Sequence, residues 1–357
     1  MAQIIAVFLL LSVVVTGCGG TPAASQPVQQ PLQQSQQQPA QQPSQLPSQQ
    51  PGGRPVDPPM ESPLTGLKVR ASLVKRSPVA VMIDNSPKAR PQHGLSKASV
   101  VYEILAEGGI TRFMGIYLDN DAEIIGPVRS ARHYFLYAAL GYGAVYAHCG
   151  GSPQAYEEIE ALGVANLDDM SDRGVFWRSG ERVAPYNLYT SGANLRGAIA
   201  ERRWESTNVP DQPWKFTDEP QQGRAAASVH IPYPNGYQGY SVSYEYDRAA
   251  QDYKRFMANE PHADAVDGSQ LRAKTIIVLY IKSWPVPKDP DLRIEMETVG
   301  SGKGLVFAES KAREIRWAKN SKKDQFILTE AGGTVLTIPR GNVWVEVVPL
   351  ETEISFK

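Results

Sequence analysis

Charged residues stand inside apolar runs between Glu103 and Ser152, and nothing else in the chain restricts the fold so tightly, because a buried charge must find a partner or a ligand. The stretch reads Val-Tyr-Glu103-Ile-Leu-Ala-Glu107-Gly-Gly-Ile-Thr-Arg112-Phe-Met, then Ile-Gly-Pro-Val-Arg129-Ser130-Ala-Arg132-His133-Tyr, then His148-Cys-Gly-Gly-Ser152-Pro. Its charges lie next to turn glycines and helix starts, where a fold can present side chains. The functional site is expected here.

Gly108-Gly109 between two β-rich runs predicts a two-residue hairpin turn, since both glycines can adopt the positive φ of a type I′ turn. Counting outward pairs Glu107 with Ile110, Leu105 with Arg112 and Glu103 with Met114. That register puts Arg112 on one face with Glu103 and Glu107 as diagonal neighbours. A helix over Lys97 to Glu107 would also bring the two carboxylates together. On either reading they share a face, as an ion network around a half-buried arginine or as an acid and base pair with Arg112 holding one carboxylate ionised.

Pro127 to Leu140 reads as a helix entry, with Ser130 as N-cap and Phe135, Leu136 and Ala139 at helical spacing. Arg129, Arg132 and His133 crowd its first turn, where the helix dipole disfavours cations. An anion is therefore expected nearby, either an internal carboxylate such as Glu103, Glu107 or Glu123, or a bound carboxylate or phosphate. Ala144 to Cys149 is a short apolar strand, Gly150-Gly151 turns the backbone, Ser152 suits an N-cap and Pro153 the first helical position. His148 with Ser152 or Cys149 has the elements of a base and nucleophile, although no third, orienting residue is assignable. The competing readings are a satisfied structural histidine and a buried cysteine acting as a small hydrophobe.

Met1 to Val15 is apolar but too short to span a bilayer comfortably, and with the closing Val15-Thr-Gly-Cys18 it reads as a secretory signal, residues 1–17, ending in a lipobox. Lipidated Cys18 would then anchor the chain to the membrane. Residues 18–63 are almost wholly Gln, Pro and Ser, too poor in apolar groups to fold, and form a tether reaching ~40 Å as a coil or ~140 Å as polyproline II. Cys18 and Cys149 are the only cysteines of the 357 residues. Once Cys18 is lipidated, no internal disulfide is available.

The fold class expected beyond the tether is α+β. An N-terminal α/β domain spans residues 64–207, and a mostly β C-terminal domain spans residues 224–357. Val79 to Asp84 is a buried strand whose end presents Asp84 and Asn85 to a ligand or closes an Asx turn before Ser86-Pro87. Pro153 to Leu162 and Ser191 to Trp204 read as helices. The loop carrying Arg178, Arg182 and Asn187 interleaves aromatics with polar groups suited to a sugar or peptide. After a Pro- and Gln-rich break at 208–223 come short alternating strands, with a helix or irregular turn at Arg248 to Met257 and a turn at Gly300-Ser-Gly302. His262 and Asp264 make at most a ligand pair, and no metal site or cofactor is expected. The formal net charge of −1 gives no electrostatic case for nucleic acid.

The ordered words Ala80-Val-Met-Ile-Asp-Asn85, Ala89-Arg-Pro-Gln-His-Gly-Leu95, Glu107-Gly-Gly-Ile-Thr-Arg-Phe113, Ile125-Gly-Pro-Val-Arg-Ser-Ala-Arg132, His148-Cys-Gly-Gly-Ser-Pro153 and Pro185-Tyr-Asn-Leu-Tyr-Thr190 resemble the YerB-like lipoprotein family of Gram-positive bacteria, defined by a domain of unknown function. Tyr244-Glu-Tyr-Asp247 and His262-Ala-Asp264 resemble its C-terminal domain. The resemblance implies an extracytoplasmic, membrane-anchored lipoprotein with two α/β domains, and no activity. The family tends to place histidine where Tyr186 stands, and a phenol is a poor base near neutral pH.

Two classes of function fit. The first is a tethered module whose cationic pocket, built from Arg112, Arg129, Ser130, Arg132, Arg178 and Arg182 with Asp84, Asn85, His148, Ser152 and Asn187, holds an anionic cell-wall polymer or peptide. The second is a cell-wall hydrolase or transferase using Glu103 or Glu107, or Ser152 with His148. A scaffold for an envelope protein partner is the remaining alternative. Arginines outnumber assignable nucleophiles, which favours binding.

Overall fold

The runs Val79–Asp84 and Thr275–Tyr280 are buried at every position, the pattern of strands covered on both faces. Both lie inside one eleven-stranded sheet. The computed structural model describes residues 57–206, 209–233 and 238–357. The expected signal segment, Cys18 and most of the expected tether lie outside the described residues, and Pro55–Lys357 forms one compact unit.

In chain order the principal strands are β1 (Val79–Asp84), β2 (Val100–Leu105), β3 (Thr111–Tyr117), β4 (Val145–His148), β5 (Asn166–Asp168), β6 (Ser228–Ile231), β7 (Val242–Asp247), β8 (Asp252–Met257), β9 (Thr275–Tyr280), β10 (Gly300–Ala308), β11 (Lys311–Lys319) and β12 (Val343–Val348). The longer helices are α1 (His133–Gly141), α2 (Pro153–Leu162) and α3 (Gly192–Arg202). Across the large sheet the order is β11, β10, β9, β12, β2, β3, β1, β4, β5, with Arg224–Ala225 beyond β11 and Ile327–Glu330 also pairing with it. β12 is parallel to both β9 and β2, so a strand from near the end of the chain joins the two halves into one sheet.

A six-stranded sheet built on β6, β7 and β8 covers one face, where Val229, Tyr244 and Tyr253 meet Val101, Phe113, Ile276 and Trp344. α3 packs on the same side through Leu195 and Ile199. The opposite face carries α1 and α2, whose Tyr134, Phe135, Ala138, Ala155 and Ile159 meet Met82, Tyr102, Met114 and Val345. The described structure is thus mostly sheet with few helices. Among the described residues no helix is long and apolar enough to cross a membrane.

Several local expectations are met. α2 starts at Pro153 with the Ser152 hydroxyl accepting from the Ala155 N–H at 3.2 Å, and it ends at Gly163 in the left-handed region. Asp84 Oδ1 accepts from the Ser86 N–H at 2.7 Å, closing the Asx turn. Other expectations are corrected. Lys97 to Glu107 is not a helix, since its centre is β2. α1 begins at His133, with Arg132 rather than Ser130 in the N-cap position and no side-chain cap. Arg248 to Met257 contains no helix and supplies β8, because the alternation of Tyr253, Arg255 and Met257 buries one face of a strand.

Gly300 to Gly302 is not a turn but the start of β10. A Cβ on Gly302 would lie 2.6 Å from Trp317 Nε1, so the glycine is where the neighbouring indole crosses the strand. That indole donates to Tyr280 O at 3.1 Å. Gly302→Ala is expected to displace the ring and lower stability by about 1–3 kcal/mol, read as a shift of the urea midpoint at constant m-value.

Candidate functional site

Gly108 and Gly109 have φ of 62° and 74°, as a type I′ turn requires, and the Ile110 N–H donates to Glu107 O at 3.3 Å. The Ala106 N–H also donates to Ile110 O, at 2.7 Å, so Ala106 and Glu107 both stand opposite Ile110 as a one-residue bulge. Beyond it Leu105 pairs with Thr111, Ile104 with Arg112 and Glu103 with Phe113. The expected register is therefore displaced by one residue, which sends Glu103 and Arg112 to opposite faces of the sheet. The two carboxylates do not share a face.

Glu103 points toward the second sheet and is fully buried. In the parallel pair of β12 with β2 it lies directly opposite Glu346, itself fully buried. Arg255 from β8 reaches between them, bonded to Glu103 Oε2 and 3.9 Å from Glu346 Oε1. Its guanidinium lies over the rings of Trp344, at 4.5 Å, and Phe113, at 5.3 Å. Tyr233 and Tyr244 hydroxyls donate to the two oxygens of Glu346 at 2.7 and 2.5 Å. Thr111 and Asn85 donate to Glu103 Oε1 at 2.5 and 3.1 Å. Arg255 also contacts His262 Nδ1, whose Nε2 lies 2.8 Å from Gln92 Oε1, and Gln92 donates to Asn85 Oδ1 at 3.0 Å. Burial pushes Glu103 up to about 8 against the pull of Arg255, and Glu346 adds to the rise. His262 is held well below its usual value by burial and then by Arg255, so it stays neutral. Asp264 accepts from the Gly94 and Ser96 N–H groups at 3.0 and 2.8 Å, which makes it a loop anchor. Among the described residues no group of three His, Cys, Asp or Glu side chains could hold a metal ion.

On the other face Glu107 binds both Arg112 and Arg132, the latter through Nε at 2.9 Å and Nη2 at 2.7 Å. Although burial opposes it, these two guanidiniums hold its carboxyl below the ordinary value. Arg112 also donates to Ser130 O at 3.0 Å, and His133 Nε2 lies 3.0 Å from Glu295. Burial lowers the His133 pKa despite Glu295, so the cation at the start of α1 is Arg132, neutralised by Glu107, one of the three carboxylates expected.

The carboxyl ends of β1, β4 and β5, which are parallel, form a third, half-exposed group. Arg129 Nε lies 2.9 Å from Asp84 Oδ2 with its side chain 28 % exposed, and its guanidinium is 5.9 Å from the Tyr186 ring. The Cys149 N–H donates to Arg129 O at 3.0 Å, and Cys149 Sγ lies 3.7 Å from Asp169. Arg178 donates to Asp169 at 3.3 Å and to Asn187 Oδ1 at 3.1 Å, closing a circuit of contacts back to Tyr186. Ser130, Gly150 and Gly151 are partly exposed beside it. Arg182 turns away to Ala89 O and Pro91 O, at 2.6 and 2.7 Å.

The proposed catalytic pairings do not meet. His148 is fully buried, with Nδ1 2.9 Å from Gly150 O and Nε2 3.3 Å from Asn166, and burial lowers its pKa. Ser152 Oγ is occupied as the cap of α2. Burial, then Asp169, pushes the Cys149 thiol up to about 11.

Residues 64–205 match the family described as "Protein of unknown function (DUF3048) N-terminal domain", and residues 229–345 match its C-terminal domain. The chain is 33% identical over 288 residues, 80% of its length and 85% of the relative's, to a Bacillus subtilis protein named "Putative lipoprotein YerB". The chain belongs to the DUF3048 family. The crystal structure of the YerB protein from Bacillus subtilis superposes with a TM-score of 0.74 at 31% identity, covering 83% of this chain and 99% of that one. In this DUF3048 chain the buried network draws Asn85, Gln92, Glu103 and Thr111 from the region matching the N-terminal domain and Tyr233, Tyr244, Arg255 and His262 from the C-terminal one.

Sequence reasoning did not single out Gln92, Tyr233, Arg255 or Glu346. Glu346 was detectable by the rule that found Glu103, because Val343-Trp-Val-Glu346-Val-Val is an apolar run broken by one charge. With Glu103 titrating above its ordinary value of 4.5, the native state binds a proton that the unfolded chain releases, so stability falls as pH rises from about 4.5 through about 8. Glu103→Gln is expected to flatten that decline, measured by urea midpoints across the same pH range.

Proposed function

We propose that the protein is a membrane-anchored envelope module that binds, rather than cleaves, an anionic cell-wall polymer or peptide. Lipidation of Cys18 and the Gln/Pro/Ser tether would place the folded part at a distance from the membrane, in keeping with the relative named as a lipoprotein. The ligand site is the half-exposed rim of Arg129, Ser130, Arg178, Tyr186 and Asn187.

One observation carries this reading. At the carboxyl ends of three parallel strands, guanidinium, amide and phenol groups meet in one partly exposed circuit. Arg178 has nearly half of its side chain in solvent and Arg129 more than a quarter, so both have donors to offer an anion. Arg112 and Arg132 act from behind, fixing through Glu107 the segment that carries Arg129 and Ser130. Binding is favoured over hydrolysis because Glu103 is sealed, Glu107 is held between two arginines, and His148 and Ser152 have separate partners.

The test is sedimentation with purified bacterial cell walls over a salt series, with the supernatant assayed for released fragments. Salt-sensitive pelleting without release is expected. Arg178→Ala, and Arg129→Lys, which keeps a cation on Asp84 but loses the guanidinium fork, should each weaken retention about tenfold while leaving the thermal midpoint near wild type. Released fragments, or full retention by both variants, would sink the proposal.

A further inference from the structure

Across the sheet from the rim, β9, β10 and β11 form the floor of a second cleft. It has a volume of about 380 Å³ and is lined by Arg224, Tyr280, Lys303, Glu314, Arg316 and Phe356 among others. Lys303 and Arg316 are direct cross-strand partners, and like charges in that position repel. Other exposed arginines of the fold, such as Arg178 and Arg340, reach carboxylates. Among the described residues neither Lys303, Arg316 nor Arg224 makes an ion pair. Lys303 Nζ instead rests 4.6 Å from the centre of the Tyr280 ring, and Arg224 4.7 Å from that of Phe356. Glu314, on the same face two residues before Arg316, leaves the cleft with an excess of two positive charges.

We infer that this cleft is a binding site for a linear phosphate-bearing ligand, separate from the Arg129 rim and independent of it. Lys303 and Arg316 would share one phosphate of the chain, whose tetrahedral unbridged oxygens can accept from both cations at once, and the next phosphate along would meet Arg224. Tyr280 and Phe356, uncovered as the cations swing to the phosphate, would stack on the intervening sugar or polyol. A concave floor suits a chain rather than a flat membrane surface. Six strand spacings separate β10 from β4, about 29 Å, so the two clefts are distinct sites.

The test uses the full-length protein in an uncharged detergent, titrated calorimetrically with linear inorganic polyphosphate and, separately, with polyglutamate. Polyphosphate should bind measurably and polyglutamate at least tenfold more weakly. The double variant Lys303→Gln/Arg316→Gln should lose at least tenfold in polyphosphate affinity with a flatter salt dependence, while the exposed control Lys288→Gln retains wild-type affinity. Its thermal midpoint should equal or exceed wild type, because a repulsive pair has been removed. No binding by the wild type, equal affinity for polyglutamate, an unchanged double variant, or an equal loss in Lys288→Gln would each overturn the assignment.

Discussion

Two fully buried glutamates face each other across adjacent parallel strands, and the fold depends on the one arginine that bridges them. Glu103 and Glu346 occupy matching positions in β2 and β12, the contact that joins the two halves of the chain. Bare, such a pair would oppose the strand pairing, both through its like charge and through the several kcal/mol it costs to desolvate each carboxylate. Arg255 is delivered by the second sheet, so the contact between sheets is fixed by a charge requirement as well as by apolar packing. Tyr233, Tyr244, Thr111 and Asn85 use the remaining carboxylate lone pairs. A network satisfied this fully adds geometric specificity, because sliding one sheet on the other would leave a buried charge without a partner.

The other face follows from a single extra residue. The bulge at Ala106 and Glu107 rotates Arg112 away from Glu103 and leaves Glu107 in the loop, where it gathers Arg112 and Arg132. That pairing neutralises the start of α1, whose N-cap side chain makes no capping bond. It also fixes the segment whose next residues, Arg129 and Ser130, reach the surface. The division of labour among the arginines is thus a matter of depth. Arg112, Arg132 and Arg255 hold the interior together, whereas Arg129 and Arg178 keep part of their donors in solvent.

The site rim and the interior network meet at Asp84-Asn85. Asp84 pairs with Arg129 at the surface, while Asn85 donates inward to Glu103. A change of charge in the interior therefore acts next to the residues that hold Arg129, while Arg255 on Glu103 and His262 beside Gln92 tie the family's two matched regions together.

How much of this was legible in the sequence depends on how local the cause is. The Ser152-Pro153 helix start, the Asx turn at Asp84 and the paired glycines at 108 and 109 are set by a few neighbouring residues, and they stand where the sequence places them. The requirement that Glu103, Arg112 and Arg132 be paired was equally readable, since it follows from charge inside apolar runs. The partners were not. A one-residue bulge has no signature distinct from the turn it accompanies, yet it reverses every side chain beyond it, so the face of Glu103 was decided only when the ladder formed. Arg255 lies 152 residues from Glu103, and β12 inserts beside β2 from the far end of the chain. The sequence by itself determined which charges would need company. Only the tertiary structure, by closing one sheet across both halves and laying a second on top, decided which arginine meets which carboxylate and which remain exposed to a ligand.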